Sequence, residues 1–250
     1  MELTIPSRYC GPPESGNGGW VSGAVARTVP TTADRPAVTV RLSAPPPLDR
    51  PMVLDTEITP GEGGPVVTVR LLDRGHLVAT ATPAADLTEP LPPAPTLEEA
   101  RAAEDRYEGL ADHPFPTCFS CGTARTPGDG LCLRPGPLAD GSGRYATTWT
   151  PGEDPEVPLV WAALDCPGGW SAGIAGRPMV LGTMTARLHA LPETGEPHVV
   201  LAWQRGSQGR RHHSGSVLLS PSGTVLARAE ATWVAVDPAT VRPRETRETA

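Results

Sequence analysis

The stretch GNGGWVSGAVA at residues 16–26 returns as CPGGWSAGIAG at residues 166–176. On the C-terminal side of each copy, TVRL at 39–42 matches TARL at 185–188, and a proline follows each leucine at the same interval, Pro51 and Pro197. GHLVATA at 75–81 then matches GTVLARA at 223–229. One such match is weak, but the same anchors in the same order at similar separations point to internal repetition. Each copy reads as a small-residue apolar helix that Gly-Gly-Trp opens or lies within, followed by an antiparallel meander. The expected strands are 37–43, 52–59, 66–73 and 76–82 in the first copy, and 182–190, 198–205, 215–220 and 224–236 in the second. Hairpin turns at Asp73-Arg74-Gly75 and Ser220-Pro221-Ser222-Gly223 close the last pair of each copy. Glycine, alanine and serine lower helix propensity or add no bulk, so such a helix makes sense only where another backbone approaches closely, and a sheet is the expected neighbour. A helix followed by a meander, without β-α-β alternation, is an α+β pattern.

This organisation predicts four segments: an N-terminal unit over 1–87, a connector over 88–112, a C-terminal unit over 113–237 and a flexible polar tail over 238–250. The connector begins as an extended proline run at 90–95 and continues as an exposed helix at 96–107 capped by Thr96. The second unit has extra leading strands near 130–134 and 143–150. The chain of 250 residues is 38% hydrophobic and 20% charged, within the range of globular proteins, and its net charge of −7 lacks the basic footprint of a nucleic-acid binder. The first residues show no basic, apolar signal pattern, and no run reaches membrane-spanning length. Five cysteines, an odd number in a chain of this size, fit reduced thiols and a cytoplasmic location.

The NGGW segment leading into a small-residue helix, the TxRL strand and the closing GHLVATA and GTVLARA strands together resemble the double-hotdog acyl-CoA thioesterases. LDCPGGW at 164–170 and the run from Gly209 to Trp233 also resemble stand-alone hotdog thioesterases. The resemblance implies a tandem hotdog, each half a sheet wrapped around a helix. It also implies an acyl chain held between helix and sheet where the halves meet. The substrate would be a coenzyme A or carrier thioester, no cofactor would be needed, and a homodimer of double hotdogs is an expected assembly. The family's better-known members carry an Asp, a Thr or Ser, and a Gln in the strands of the second half. Here the first of those strands reads ARLHALP, with His189 and no acid, so that set of residues does not carry over.

Thioester hydrolysis needs donors aimed at the developing oxyanion and a carboxylate that attacks the carbonyl or activates water. Backbone N–H groups of Gly18, Gly19, Gly168 and Gly169 suit the first need if they sit at a helix N-terminus; otherwise these glycines only permit close packing. Asp165, beside Gly-Gly-Trp in the second copy, is the candidate base or nucleophile, with a helix cap as its other reading. Asn17 occupies comparable ground in the first copy and can hydrogen-bond a thioester or water. Glu230, near the expected Gln, is either a substitute carboxylate or an outward-facing strand residue. Arg210, Arg211 and His213, in the densest cationic run, are candidates for the phosphates of coenzyme A, or a solvated loop.

Cys118-x-x-Cys121, with His113 before it and Cys132 after it, invites a zinc reading, but a second close pair is missing, and the expectation is no metal. A buried turn is the simpler alternative, and a redox pair lacks the β-α-β context such motifs use. No P-loop, Rossmann or nucleophile-elbow glycine motif is present. The competing classes are therefore a thioester hydrolase, a non-catalytic acyl-binding hotdog, and, with no Asp-x-x-x-x-His pattern to support it, a dehydratase.

Overall fold

The computed structural model describes residues 1–61, 64–152 and 155–241. In chain order its elements are β1 (Glu2–Thr4), α1 (Gly18–Ala26), β2 (Ala37–Leu42), β3 (Pro51–Thr59), β4 (Val66–Asp73), β5 (His76–Ala84) and α2 (Leu97–Glu104). The second half adds β6 (Gly136–Pro137), β7 (Tyr145–Trp149), α3 (Val157–Ser171), β8 (Met179–Leu188), β9 (His198–Gln208), β10 (Arg211–Leu219), β11 (Val225–Ala235) and α4 (Pro238–Val241). The expected tail thus begins with a helical turn, and its remainder lies outside the described residues. All eight expected meander strands form within a few residues of their anticipated ends. Of the leading strands, 130–134 is instead a loop, because the Leu131 and Leu133 N–H groups bond to the carbonyls of Phe119 and Ser120. The short strand that pairs with β7 is Gly136–Pro137.

The strands join one antiparallel sheet in the order β1-β3-β4-β5-β2-β8-β11-β10-β9-β7-β6. The run β3-β4-β5-β2 is mirrored by β8-β11-β10-β9, and the mirror passes between β2 and β8. There Thr39 lies opposite Thr185, and the two hydroxyls are 2.8 Å apart. These threonines open TVRL and TARL, so the two matched tetrapeptides meet at the mirror, as at a two-fold axis. Local chemistry fixes the rest. Arg74 and Gly75, at φ of 50° and 83°, make the two-residue turn between β4 and β5, the left-handed pair that matches strand twist in a tight hairpin.

Helices α1 and α3 pack against each other, α1 also touching β2, β5 and β8, and α3 touching β7 to β11. One apolar cluster joins Val21 and Val25 of α1 to Val40 and Leu71 in the first half and to Leu164, Trp170, Met184 and Leu218 in the second. On β9, Val200 belongs to this cluster, whereas Val199 and Leu201 pack with Ala100 and Ala103 of α2, the two-residue alternation of a strand covered on both faces. The connector helix therefore roofs the far side of the second half. Its start is held by a reciprocal box between Thr96 and Glu99.

The expectation that a sheet backbone approaches the small-residue helix needs correction at two glycines. A Cβ on Gly19 would lie 2.6 Å from the Trp161 carbonyl oxygen, and one on Gly23 would lie 2.7 Å from the Pro158 Cα. The close neighbour there is the backbone of α3. At Gly23 the obstacle cannot move without shifting a helix. Gly23→Val is expected to lower the unfolding free energy by about 1–3 kcal/mol, the usual cost of overpacking. Gly152→Ala, where the added carbon meets nothing within 4 Å, is expected to stay within about 0.5 kcal/mol of the parent. Urea denaturation of the two variants measures the contrast.

Candidate active site

The N-terminus of α1 carries the orphan N–H groups that every helix start has. Asn17 caps it, its side-chain oxygen accepting from the Trp20 N–H at 2.8 Å, while its own N–H donates to the Tyr9 carbonyl at 2.7 Å. The Gly19 N–H donates to Asp165 Oδ2 at 2.9 Å. Asp165 projects from α3, so a carboxylate of the second half closes the helix start of the first. This is possible only because Gly19 has no side chain: its Cβ would stand 2.4 Å from the Asp165 Cβ. Asp165 is 2% exposed, and its Oδ1 has no hydrogen-bond partner among the described residues. Burial pushes its carboxyl up to about 8, against the lowering effect of the Gly19 N–H.

Asp165, Asn17 and Gly18 line a cavity of about 540 Å³. The first half contributes residues 11, 12, 14–18 and 42–46. The second contributes Phe115, Cys118, Asp165, Ile174, residues 179–182 and Trp233, Val234 and Val236 at and just past the end of β11. Phe115, Met179, Leu181 and Trp233 make much of the wall apolar. Chemically this is a greasy slot with a helix N-terminus and one half-satisfied carboxyl at its side.

Of the residues singled out in the sequence, Asp165, Asn17, Gly18 and Gly19 are brought together. Gly168 and Gly169 are not at a helix start. They lie in the last turn of α3, where their N–H groups belong to the helix ladder, and their Cα atoms face Ser214 Oγ and the Trp233 ring. Gly-Gly-Trp opens α1 but closes α3. Glu230 points away from the cavity and pairs with Arg205 at 2.5 Å. His213 joins it in a separate groove, its Nδ1 3.1 Å from Thr232 Oγ1. Arg210 and Arg211 are exposed at the β9–β10 turn. They stay outside the cavity but adjoin its end, since the Arg210 carbonyl accepts the Ala235 N–H at 2.9 Å and Arg211 lies opposite the cavity-lining Val234.

What the sequence did not disclose is a thiol cluster behind Asp165. Cys118 also lines the cavity, and its Sγ is 3.6 Å from that of Cys166, the neighbour of Asp165 on α3. Cys121 is close to both, and all three are buried. Cys132 is not part of the group. The one local signal for Cys166 was its place beside Asp165 in a helix whose facing side meets the 118–121 loop.

No protein-family model and no curated protein matches the chain. Solved structures do. It is similar over 95% of its length to 93% of a conserved protein of unknown function with a hot dog fold from Alicyclobacillus acidocaldarius, at 17% identity and a TM-score of 0.62. It is similar to an acyl-CoA thioesterase II, TesB2, from Mycobacterium marinum, at 14% identity, with 96% and 93% of the two chains covered and a TM-score of 0.58. A third is the dehydratase domain of PpsC from Mycobacterium tuberculosis in complex with C12:1-CoA, at 17% identity, with 94% and 93% covered and a TM-score of 0.58. These likenesses establish the fold, a double hotdog. No helix among the described residues is long and apolar enough to cross a membrane.

The cap at Asn17 gives a measurable expectation. Asn17→Ala is expected to cost about 1 kcal/mol of unfolding free energy through the lost bond to Trp20, and Asn17→Ser, which keeps an acceptor, to recover most of it. Chemical denaturation followed by tryptophan fluorescence reads both.

Proposed function

We propose that this chain hydrolyses acyl thioesters of coenzyme A or of an acyl carrier, with the working site at the junction of Asp165 and the start of α1. One observation carries the reading: a buried carboxyl has one oxygen tied to a helix N-terminus and the other without a partner among the described residues, beside an apolar cavity. The acyl chain lies along Leu181, Met179 and Trp233. The thioester carbonyl sits at the start of α1, where the Gly18 N–H and the helix dipole favour the oxyanion that forms on attack. Asp165 Oδ1 acts in its ionised form, reached as pH rises through about 8. It either takes a proton from the water that attacks the carbonyl carbon or attacks that carbon itself to form an anhydride that water then hydrolyses. The C–S bond breaks and the thiolate leaves toward the open end of the slot. Asn17 is a positioning residue in this scheme, since its oxygen is committed to the Trp20 N–H. Arg210 and Arg211, on the turn at the cavity's end, receive the coenzyme A phosphates. The mirrored halves are read as copies of one unit, of which one pair of ends forms the site.

The presence of both a thioesterase and a CoA-bound dehydratase domain among proteins of this fold supports an acyl-CoA ligand. It does not choose the chemistry, because one fold hosts several activities. Asp165 favours hydrolysis, since a carboxylate can serve as its base or nucleophile and no Asp-x-x-x-x-His pattern is present to support a dehydratase.

Thiol release from a panel of acyl-CoA esters of graded length tests the reading. Turnover is expected with at least one of them, and Asp165→Asn is expected to lower kcat/KM by about 10²–10⁴-fold while leaving the circular dichroism unchanged. Saturable binding without thiol release from any ester would replace the hydrolase by an acyl-binding protein. A fully active Asp165→Asn variant would remove Asp165 from the mechanism.

A further inference from the structure

The three thiols that meet behind the cavity come from two elements far apart in the chain. Cys118 and Cys121 lie in the loop following α2, and Cys166 lies in α3. Their Sγ atoms are all within 4.8 Å of one another, with Cys118 and Cys166 at 3.6 Å. A tetrahedral ion with metal–sulfur bonds of about 2.3 Å holds its sulfurs about 3.8 Å apart, so the side chains already stand at roughly the spacing that one shared ion requires.

The surroundings point the same way. Every sulfur of the trio has a side-chain N–H donor beside it. The Asn17 amide nitrogen lies 3.6 Å from Cys118 Sγ and 3.9 Å from Cys166 Sγ. The Trp170 indole N–H lies 3.5 Å from Cys121 Sγ. His113 Nε2 lies 3.4 Å from the same sulfur and 3.1 Å from the Cys121 carbonyl oxygen. His113 Nδ1 accepts the Phe115 N–H at 2.9 Å, which leaves Nε2 as the protonated nitrogen and makes His113 a donor to the sulfur rather than a ligand. Tryptophan nitrogen can only donate. Donors converging on sulfur suit thiolates, and outer-shell donors of this kind orient metal-bound ligands. The Tyr107 hydroxyl, donating to the Cys121 carbonyl at 2.9 Å, holds the loop in place.

We propose that Cys118, Cys121 and Cys166 form a three-thiolate site for one thiophilic d¹⁰ cation of the Zn²⁺ class. The three thiols release their protons on binding. Three protein ligands leave a tetrahedral ion a fourth position for water, which arrives through the cavity that Cys118 lines. A disulfide fits less well, because any pair that closes strands the third thiol in the same dry nest. The site does not depend on the proposed hydrolysis, and its test does not read turnover.

The full-length protein, purified under a non-thiol reductant and stripped with chelator, is titrated with Zn²⁺ and separately with Co²⁺. One equivalent per chain is expected, with the cobalt form showing thiolate-to-metal charge transfer and tetrahedral d–d bands. Zn²⁺ is expected to protect three of the five thiols of the unmutated protein from alkylation, and peptide mapping is expected to identify them as Cys118, Cys121 and Cys166. Cys166→Ser should abolish stoichiometric binding, whereas Cys132→Ser should bind as the parent does. His113→Gln should keep the stoichiometry and weaken affinity about 10–100-fold. Protection of the unmutated protein needs no variant to fold. Substoichiometric zinc, equal alkylation of all five thiols with and without zinc, or a Cys118–Cys166 disulfide that persists under the reductant would overturn the assignment.

Discussion

The contact between α1 and α3 sets most of what is distinctive in this molecule. Two helices that meet backbone to backbone need positions without side chains, and Gly19 and Gly23 supply them on the α1 side. That approach brings Asp165 to the first turn of α1, within reach of the Gly19 N–H. It also draws the two half-sheets close enough for β2 and β8 to pair, with Thr39 against Thr185. A side chain at either glycine would push the helices apart and open the seam on which the cavity, the carboxyl and the thiols all lie.

Burying polar groups at such a seam is costly unless each finds a partner. The seam meets that constraint with short-range pairings. Across the halves, the Gly19 N–H pairs with Asp165 and the Asn17 amide with the Cys118 and Cys166 sulfurs. Within each half, the Trp20 N–H pairs with Asn17, and the Trp170 and His113 N–H donors with Cys121. Among the described residues, Asp165 Oδ1 stands without a partner beside the cavity, and a group left so is available to a ligand. Ser22 Oγ and Ser120 Oγ are also buried and unpaired among the described residues, and nothing around them suggests a use.

The strand pattern was legible because period-two alternation and turn chemistry are local: Arg74-Gly75 and the capped start at Thr96 can be read without knowing any neighbour. TVRL and TARL could be matched because self-similarity needs no structure, and the two strands that carry them pair at the mirror. The ends of the helices were not. Gly-Gly-Trp looks the same in both copies, but Asn17 stops α1 from extending backward, whereas α3 runs on through Cys166 and Pro167. That difference depends on residues 157–165, an apolar run that supplies helix before the shared motif. Glu230 could be judged only once the fold brought Arg205 of β9 to it across β10. The thiol cluster was hidden for a related reason. Spacing rules for metal sites look for a second pair nearby in sequence, and the third sulfur here comes from a helix across the seam.

The mirror in the sheet raises the question of why an acid meets one helix start and not the other. At one end, the first turn of α1 faces Asp165. At the opposite end, the first turn of α3, with Pro158 and Trp161, faces Gly23. Gly23, the α1 residue that faces the start of α3, is one of the two that let the helices touch, and α1 carries no acidic residue at all. Arg27 and Glu156 instead close that end as an exposed ion pair at 3.2 Å, worth little to stability. A carboxylate at position 23 would collide with the α3 backbone, so the close approach that brings Asp165 to the start of α1 leaves no room for an acid at Gly23 facing the start of α3.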